Sequence, residues 1–100
     1  MRARTVLLAP RATKEIDEAA AGWADRGAPA LIDDAIAVAF RFIQAFPEAS
    51  PLVKSRGRWT KIRRASVEPL GYNLFYSYDA RAGTILVRCF RHQNRRPPRL

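Results

Sequence analysis

The segment PALIDDAIAVAFRFIQAFP, residues 29–47, decides the fold. Apolar side chains recur in it at the spacing that gives a helix one continuous apolar face. Asp33 and Asp34 are predicted to occupy the first turn, where the helix dipole favours acidic groups, and Pro47 is predicted to end the helix. An apolar face of this length must pack against another apolar surface. The positions that form it are Ile32, Ala35, Ile36, Ala39, Phe40, Ile43 and Phe46.

Another helix is predicted upstream, after a short β-rich strand at residues 4–8. Pro10 suits the first turn of this helix, because the N–H that proline lacks is not needed there. Its apolar stripe consists of Ile16, Ala19, Ala20 and Trp23. Residues 26–29 (Arg-Gly-Ala-Pro) indicate a stop and a restart, so the two helices are expected to form an antiparallel hairpin.

The second half of the chain is predicted to form strands. Residues 48–58 are expected to be a polar loop, residues 59–67 a strand, and residues 72–78 a strand whose side chains alternate with period two. A turn and a last strand, Thr84 to Arg91, follow. Short connections favour an antiparallel meander.

The order of these elements predicts an α+β fold. The sequence β-α-α-β-β-β suggests two layers, with an antiparallel sheet and the two-helix hairpin on one face of it. A single domain is expected over residues 1–92, followed by a basic, extended tail over residues 93–100 that contains Pro97 and Pro98.

Length and composition limit the classes of protein that fit. One hundred residues allow one domain, and no apolar run approaches the roughly 20 residues that span a bilayer, so no membrane association is expected. The only cysteine, Cys89, excludes a disulfide framework, suits the reducing cytoplasm and is expected to pack as a small apolar side chain. One histidine and one cysteine do not make a zinc site. Neither a metal nor a cofactor is expected.

The distribution of charge is the first indication of function. The chain has a formal charge of +9, and twelve basic against two acidic residues give residues 51–100 a charge of +10. Positive charges concentrated in one half of the chain repel one another, so a negatively charged partner is expected. The alternative is that these charges only keep the surface of the protein soluble. On neighbouring strands the basic residues can converge on one patch that holds phosphates. They include Lys54, Arg56, Arg58, Lys61, Arg63, Arg64, Arg88, Arg91, Arg95, Arg96 and Arg99.

Several short motifs, taken in order, resemble those of a known family. They are Ala9-Pro10-Arg11-Ala12 after the first strand, Gly57 before the basic strand, Tyr72-x-Leu74-x-Tyr76, and His92-x-x-Arg95 after the last strand. Together with the helical hairpin they resemble the RelE/ParE superfamily of bacterial type II toxins, the plasmid-stabilisation proteins. The resemblance implies a small cytoplasmic toxin that an acidic antitoxin, encoded by an adjacent gene, neutralises.

The resemblance leaves the target open between two branches. ParE-like members inhibit DNA gyrase through protein contact, whereas RelE-like members are ribosome-dependent endoribonucleases that cleave mRNA. In a RelE-like protein, His92 and Arg95 would be catalytic, one moving a proton and the other holding a phosphate. No tyrosine follows Tyr78 in this chain, so we expect the gyrase-inhibiting branch. A third reading is a non-toxic nucleic-acid-binding module.

Two sets of binding residues follow from the basic strands and the helical hairpin. The target, whether gyrase or the ribosome and its mRNA, is expected to contact Lys61, Arg63, Arg64, Arg88, Arg95 and Arg96. The antitoxin is expected to contact Trp23, Ala35, Ala39 and Arg63.

Overall fold

The computed structural model describes residues 4–54, 61–96 and 98. Two helices pack on one face of a five-stranded sheet, whose strands follow the order β1-β5-β4-β3-β2. Arg56, Gly57, Arg58 and Arg99, and the start of the strand predicted at residues 59–67, lie outside the described residues. The elements are β1 (Thr5–Leu8), α1 (Pro10–Asp25), α2 (Pro29–Ala45), β2 (Leu52–Val53), β3 (Ile62–Val67), β4 (Tyr72–Asp79) and β5 (Thr84–His92).

The α+β fold and the antiparallel β3-β4-β5 meander are confirmed, but the sheet is mixed rather than antiparallel. Strand β1 pairs in parallel with β5, from Thr5 opposite Thr84 to Leu8 opposite Val87. Because β4 occupies one edge of β5, the N-terminal strand takes the other edge. Arg4 donates to the carbonyl of Gln44, and the Gln44 side chain donates back to the Arg4 carbonyl, which fixes the start of β1 against the end of α2.

The predicted loop at residues 48–58 contains a further short strand. Leu52 and Val53 form β2, which pairs antiparallel with Arg63 and Ile62 of β3. Two residues are too few to show an alternating pattern, and Pro51 beside them is typical of a loop or a sheet edge. Sequence periodicity therefore could not reveal this strand.

Both helices begin at a proline, because proline fits the first helical position, where no intrahelical N–H bond is made. Two details of the predicted α2 are wrong. The helix starts at Pro29, so Asp33 and Asp34 lie beyond its first turn. Phe46 follows the last helical residue and is 59% exposed, so it does not belong to the buried stripe.

The core lies between the helices and the inner face of the sheet. Helix α2 contributes four buried residues to it, whereas α1 buries only Ala12 and presents a half-buried stripe that includes Trp23. No helix in the described part of the chain is both long and apolar enough to cross a bilayer. The buried cluster consists of Ala12, Ile32, Ala35, Ala39, Ile43, Ala65, Val67, Leu74, Tyr76, Ile85, Val87 and Phe90.

A β-bulge in β5 determines which side chains reach the outer face of the sheet. Tyr76 is opposite Val87, and the preceding Phe75 is opposite Cys89, so Arg88 is an extra residue in β5. Beyond the bulge Phe90 faces the core, while Cys89 packs with Phe75 and Ile62 in a small buried cluster on the outer face. Burial raises the pKa of the Cys89 thiol. Cys89 thus packs as a small apolar side chain, as predicted.

Replacement of Tyr76 by Phe should destabilise the fold. The Tyr76 hydroxyl is fully buried and donates to the carbonyl of Pro47 at 2.8 Å, which joins β4 to the end of α2. The substitution leaves a buried carbonyl without its donor, at a cost of about 1–3 kcal/mol in the free energy of unfolding. Chemical denaturation measures this change.

Tyr78→Phe is the matched control for this experiment. The Tyr78 hydroxyl accepts from Nε of Arg4 at 3.1 Å in a half-buried position, so water can replace the lost partner. We expect Tyr78→Phe to lower the free energy of unfolding by less than Tyr76→Phe. Equal effects of the two changes would contradict the role given to the Tyr76 hydroxyl.

Candidate functional site

A pocket of about 190 Å³ opens on the outer face of the sheet, where the ends of the strands meet the residues after β5. Five of its lining side chains are cationic, and none is a carboxylate, so its electrostatic potential is strongly positive. We call it the basic pocket. Its lining residues are Val53, Lys54, Arg64, Asn73, Phe75, Arg91, His92, Gln93, Arg95, Arg96 and Pro98.

Side chains along a strand alternate between the two faces of the sheet, and this alternation determines which strand residues line the pocket. On β3, Arg64 faces outward because its neighbours Arg63 and Ala65 face the helices. Asn73 and Phe75 of β4 share the outer face. The residue opposite Asn73 on β5 is Arg91, which the bulge has moved to the outer side. With Val53 of β2, the pocket thus draws on four neighbouring strands.

His92 is the last residue of β5 and lies at the wall of the basic pocket. Its ring meets the ring of Tyr72 edge-on, with 5.2 Å between centroids, and its Nδ1 accepts from the backbone N–H of Asn94 at 3.2 Å. A neutral imidazole that accepts at Nδ1 carries its proton on Nε2. Nε2 lies 3.4 Å from the point that a Cβ on Gly71 would occupy, and Gly71 has a φ of +76°. The positive φ favours glycine at this position, and Nε2 of Gln93, 3.2 Å from the same point, leaves little room for a Cβ.

The residues after β5 turn back toward the pocket rather than extending away from it. The Gln93 amide donates to the Gly71 carbonyl at 2.8 Å, and the Arg95 amide donates to the His92 carbonyl at 3.0 Å. Nη1 of Arg91 donates to the Arg96 carbonyl at 3.1 Å. These bonds bring Arg95 and Arg96 to the pocket wall.

The structure brings together four residues that the sequence predicted for target contact or catalysis: Arg64, His92, Arg95 and Arg96 all line the basic pocket. Asn73 and Gln93 also line it and were not predicted. Asn73 carried a signal, since it is a polar residue on the same face of β4 as the apolar Phe75.

Three other predicted target residues lie away from the basic pocket. Arg63 points toward the helix side, where Nη1 donates to the carbonyls of Glu48 at 3.0 Å and Ser50 at 2.7 Å. Nε of Arg88, the bulge residue, donates to the Ser77 hydroxyl at 3.2 Å, and burial lowers the pKa of its guanidinium. Lys61 is exposed just before β3.

A second concave surface, of about 440 Å³, lies between α2 and β3. Ala35 and Ala39, predicted for antitoxin contact, are almost fully buried at its floor. Val38 and Phe42 line the same surface and are 56% and 45% exposed. We call it the α2 groove. Arg64 borders both this groove and the basic pocket.

Trp23, the remaining residue predicted for antitoxin contact, lies on α1 and does not line the α2 groove. Its Nε1 donates to the Tyr72 hydroxyl at 3.1 Å, and the Arg26 guanidinium lies 5.1 Å from its ring centroid. Within residues 4–54, 61–96 and 98, no group of three or more His, Cys, Asp or Glu side chains is placed to hold a metal ion.

Adjacent arginines of β3 should differ in their effect on stability. Arg63→Ala removes two hydrogen bonds from a cationic donor to the loop before β2, so we expect a loss of about 1–3 kcal/mol in the free energy of unfolding. Arg64→Ala should leave stability unchanged, because Arg64 is exposed and faces the pocket. Urea denaturation of the two variants tests this, and equal losses would refute the division of roles.

Comparison with known proteins supports the fold. No family model and no curated protein matches the sequence. A chain in the crystal structure of the toxin–antitoxin complex RelBE2 from Mycobacterium tuberculosis is similar in structure, with 17% sequence identity and a TM-score of 0.66. The match covers 92% of this chain and 93% of that chain. This chain therefore has a RelE-like α+β fold over almost its whole length, as its resemblance to the RelE/ParE superfamily implied.

Proposed function

We propose that this chain is the toxin of a type II toxin–antitoxin system of the RelE/ParE superfamily, acting in the cytoplasm. The observation that carries the proposal is the fold shared with a chain of the RelBE2 toxin–antitoxin complex. The charge distribution supports it, because a chain of +9 with a carboxylate-free cationic pocket fits negatively charged partners.

The partner is an acidic antitoxin, encoded by an adjacent gene, that docks in the α2 groove. The two alanines at its floor let a helix approach closely, and Val38 and Phe42 offer apolar anchors beside them. Exposed apolar patches with polar rims are typical of protein-binding surfaces. Arg64 at the rim supplies a cation for an acidic side chain.

Phe42→Ser should weaken binding of the protein encoded beside this chain by at least tenfold, since an exposed aromatic anchor is lost. Leu7→Ser is the matched control: Leu7 is 50% exposed on β1 and does not line the α2 groove. Isothermal titration calorimetry gives both affinities. A Phe42→Ser variant that is folded and binds like wild type would place the antitoxin elsewhere.

For the target, we propose that the basic pocket contacts an acidic surface of DNA gyrase. Among the described residues, the phenylalanine rings at this end of the sheet are too buried to stack on a nucleic-acid base. Phe75 is 6% exposed in the pocket, and Phe90 is buried and stacked on Tyr72 with 4.7 Å between centroids. The only phenyl ring among the described lining residues is that of the buried Phe75, and the lack of an exposed phenyl or phenol ring in that lining favours a protein surface. Gyrase inhibition by contact requires no chemical step.

The position of His92 favours a second candidate, ribosome-dependent mRNA cleavage. A proton on Nε2 beside several guanidinium groups suits a reaction in which the 2′-hydroxyl attacks the adjacent phosphate. His92 would move the proton, and Arg95 would hold the phosphate as negative charge develops.

The variant His92→Gln separates the two targets. If the chain inhibits gyrase, induction of this variant in a bacterial host should still arrest growth and cause DNA damage. If the chain cleaves mRNA, the variant should lose most activity, since general acid–base help is worth about 10²–10⁴-fold. Growth, DNA damage and mRNA integrity after induction are the measurements.

The double change Arg95→Gln and Arg96→Gln is the companion experiment. We expect it to weaken toxicity, because it removes two cations from the pocket wall. Abolished toxicity of His92→Gln, with folding and antitoxin binding intact, would move the assignment to RNA cleavage. A wild-type chain that does not arrest growth would contradict the toxin proposal and support the nucleic-acid-binding module.

A further inference from the structure

A continuous path of hydrogen bonds joins helix α1 to the residues that wall the basic pocket. Oε2 of Glu15 on α1 accepts from Nε of Arg91 at 3.1 Å. Nη1 of the same guanidinium donates to the carbonyl of Arg96 at 3.1 Å. One planar side chain thus holds a helix on one side and the segment after β5 on the other.

Glu15 is placed at a point where the sheet leaves backbone groups without a strand partner. The pairing of β1 with β5 ends at Val87, and beyond it Oε1 of Glu15 accepts from the backbone N–H of Phe90 at 3.3 Å. The carboxylate also lies 3.6 Å from Nε of Arg11, one helical turn earlier. Its side chain is only 15% exposed. A carboxylate so enclosed is held in one position.

The segment from Gln93 to Arg96 is fixed at both ends. The Gln93 amide binds the Gly71 carbonyl, and the Arg96 carbonyl binds Arg91. Between them, Arg95 donates its amide to the His92 carbonyl. The Arg91 side chain is 23% exposed, so its bond to Glu15 is partly shielded from water and is stronger than that of a surface pair, whereas its bond to the Arg96 carbonyl lies at the surface.

We propose that Glu15 is a positioning residue for target contact: through Arg91 it keeps the cationic segment after β5 against the basic pocket. This inference rests on the proposed role of that pocket in contacting the target. Glu15 does not line the basic pocket, and within the described residues the only pocket-lining side chain that its carboxylate bonds is that of Arg91. Helix α1, part of the hairpin on the opposite face of the sheet, thereby sets the shape of a site on the outer face.

The variant Glu15→Gln tests directly whether Glu15 holds the segment after β5 in place through Arg91. Glutamine keeps an oxygen that accepts from the Phe90 N–H, but it removes the charge that holds Arg91. Amide hydrogen exchange followed by NMR should show Gln93 and Arg95 exchanging at least about tenfold faster, with the β3–β4 amides unchanged. Glu18→Gln is the matched control, because it makes the same charge change on the same helix. Glu18 is exposed, and its side chain makes no hydrogen bond or ion pair within the described residues.

The affinity of the protein for inorganic phosphate, used as an oxyanion probe, reports whether the cations of the basic pocket keep their arrangement. We expect Glu15→Gln to weaken phosphate binding at least about threefold and Glu18→Gln to leave it unchanged. Normal exchange and phosphate affinity in a folded Glu15→Gln variant would overturn the proposal, as would loss of exchange protection with unaltered phosphate affinity.

If Glu15→Gln unfolds the whole sheet, the variant Arg91→Lys tests the same proposal. Lysine keeps the charge but cannot span from Glu15 to the Arg96 carbonyl with one nitrogen, so it should release Gln93 and Arg95 as Glu15→Gln does. Protected amides in this variant would also contradict the proposal. Both measurements are independent of toxicity. A non-toxic wild-type chain therefore counts against the proposed function alone.

Discussion

The single extra residue in β5, Arg88, governs the arrangement of everything that follows it in the chain. Side chains alternate between the faces of a sheet, so an inserted residue exchanges the faces of all later positions. Without the bulge, Cys89 and Arg91 would face the helices and Phe90 would face outward. The bulge instead gives Phe90 to the core and Arg91 to the outer face. It thereby avoids burying a guanidinium in an apolar core, and it supplies the basic pocket with one of its cations.

The two layers of the molecule also differ in charge. The helices carry most of the carboxylates and the sheet half carries the excess of arginine, so the two layers have net charges of opposite sign. Glu15 is the point at which the layers meet electrostatically, through Arg91 at the open edge of β5. The remaining cations of the basic pocket face no carboxylate in its lining. Their mutual repulsion is tolerated because the larger buried cluster lies on the other face of the sheet.

Sequence periodicity predicted those parts of the fold that repeat over several residues. The stripe of α2 and the alternation in β4 identified both layers, and Ala35, Leu74 and Tyr76 are buried as their spacing implies. The direction of β1, the two-residue β2 and the bulge at Arg88 depend on long-range pairing, which no local pattern encodes. The site shows the same limit. The sequence predicted Arg63 and Arg64 alike for target contact, but Arg63 binds the loop before β2, because charge alone does not tell a surface cation from a structural donor.

The parallel pairing of β1 with β5 has a consequence for the order in which the protein can be made. Of the described strands, β5 is synthesised last, yet it lies in the interior of the sheet, with β1 on one side and β4 on the other. Thr5 must wait for Thr84, and closing a contact so distant in sequence is slow. A nascent chain therefore has no complete sheet, no Arg91 at its edge and no basic pocket until β5 has emerged from the ribosome. Assembly of the site therefore requires the synthesis of β5 and of the residues just after it, and a chain that stops before β5 remains without the site.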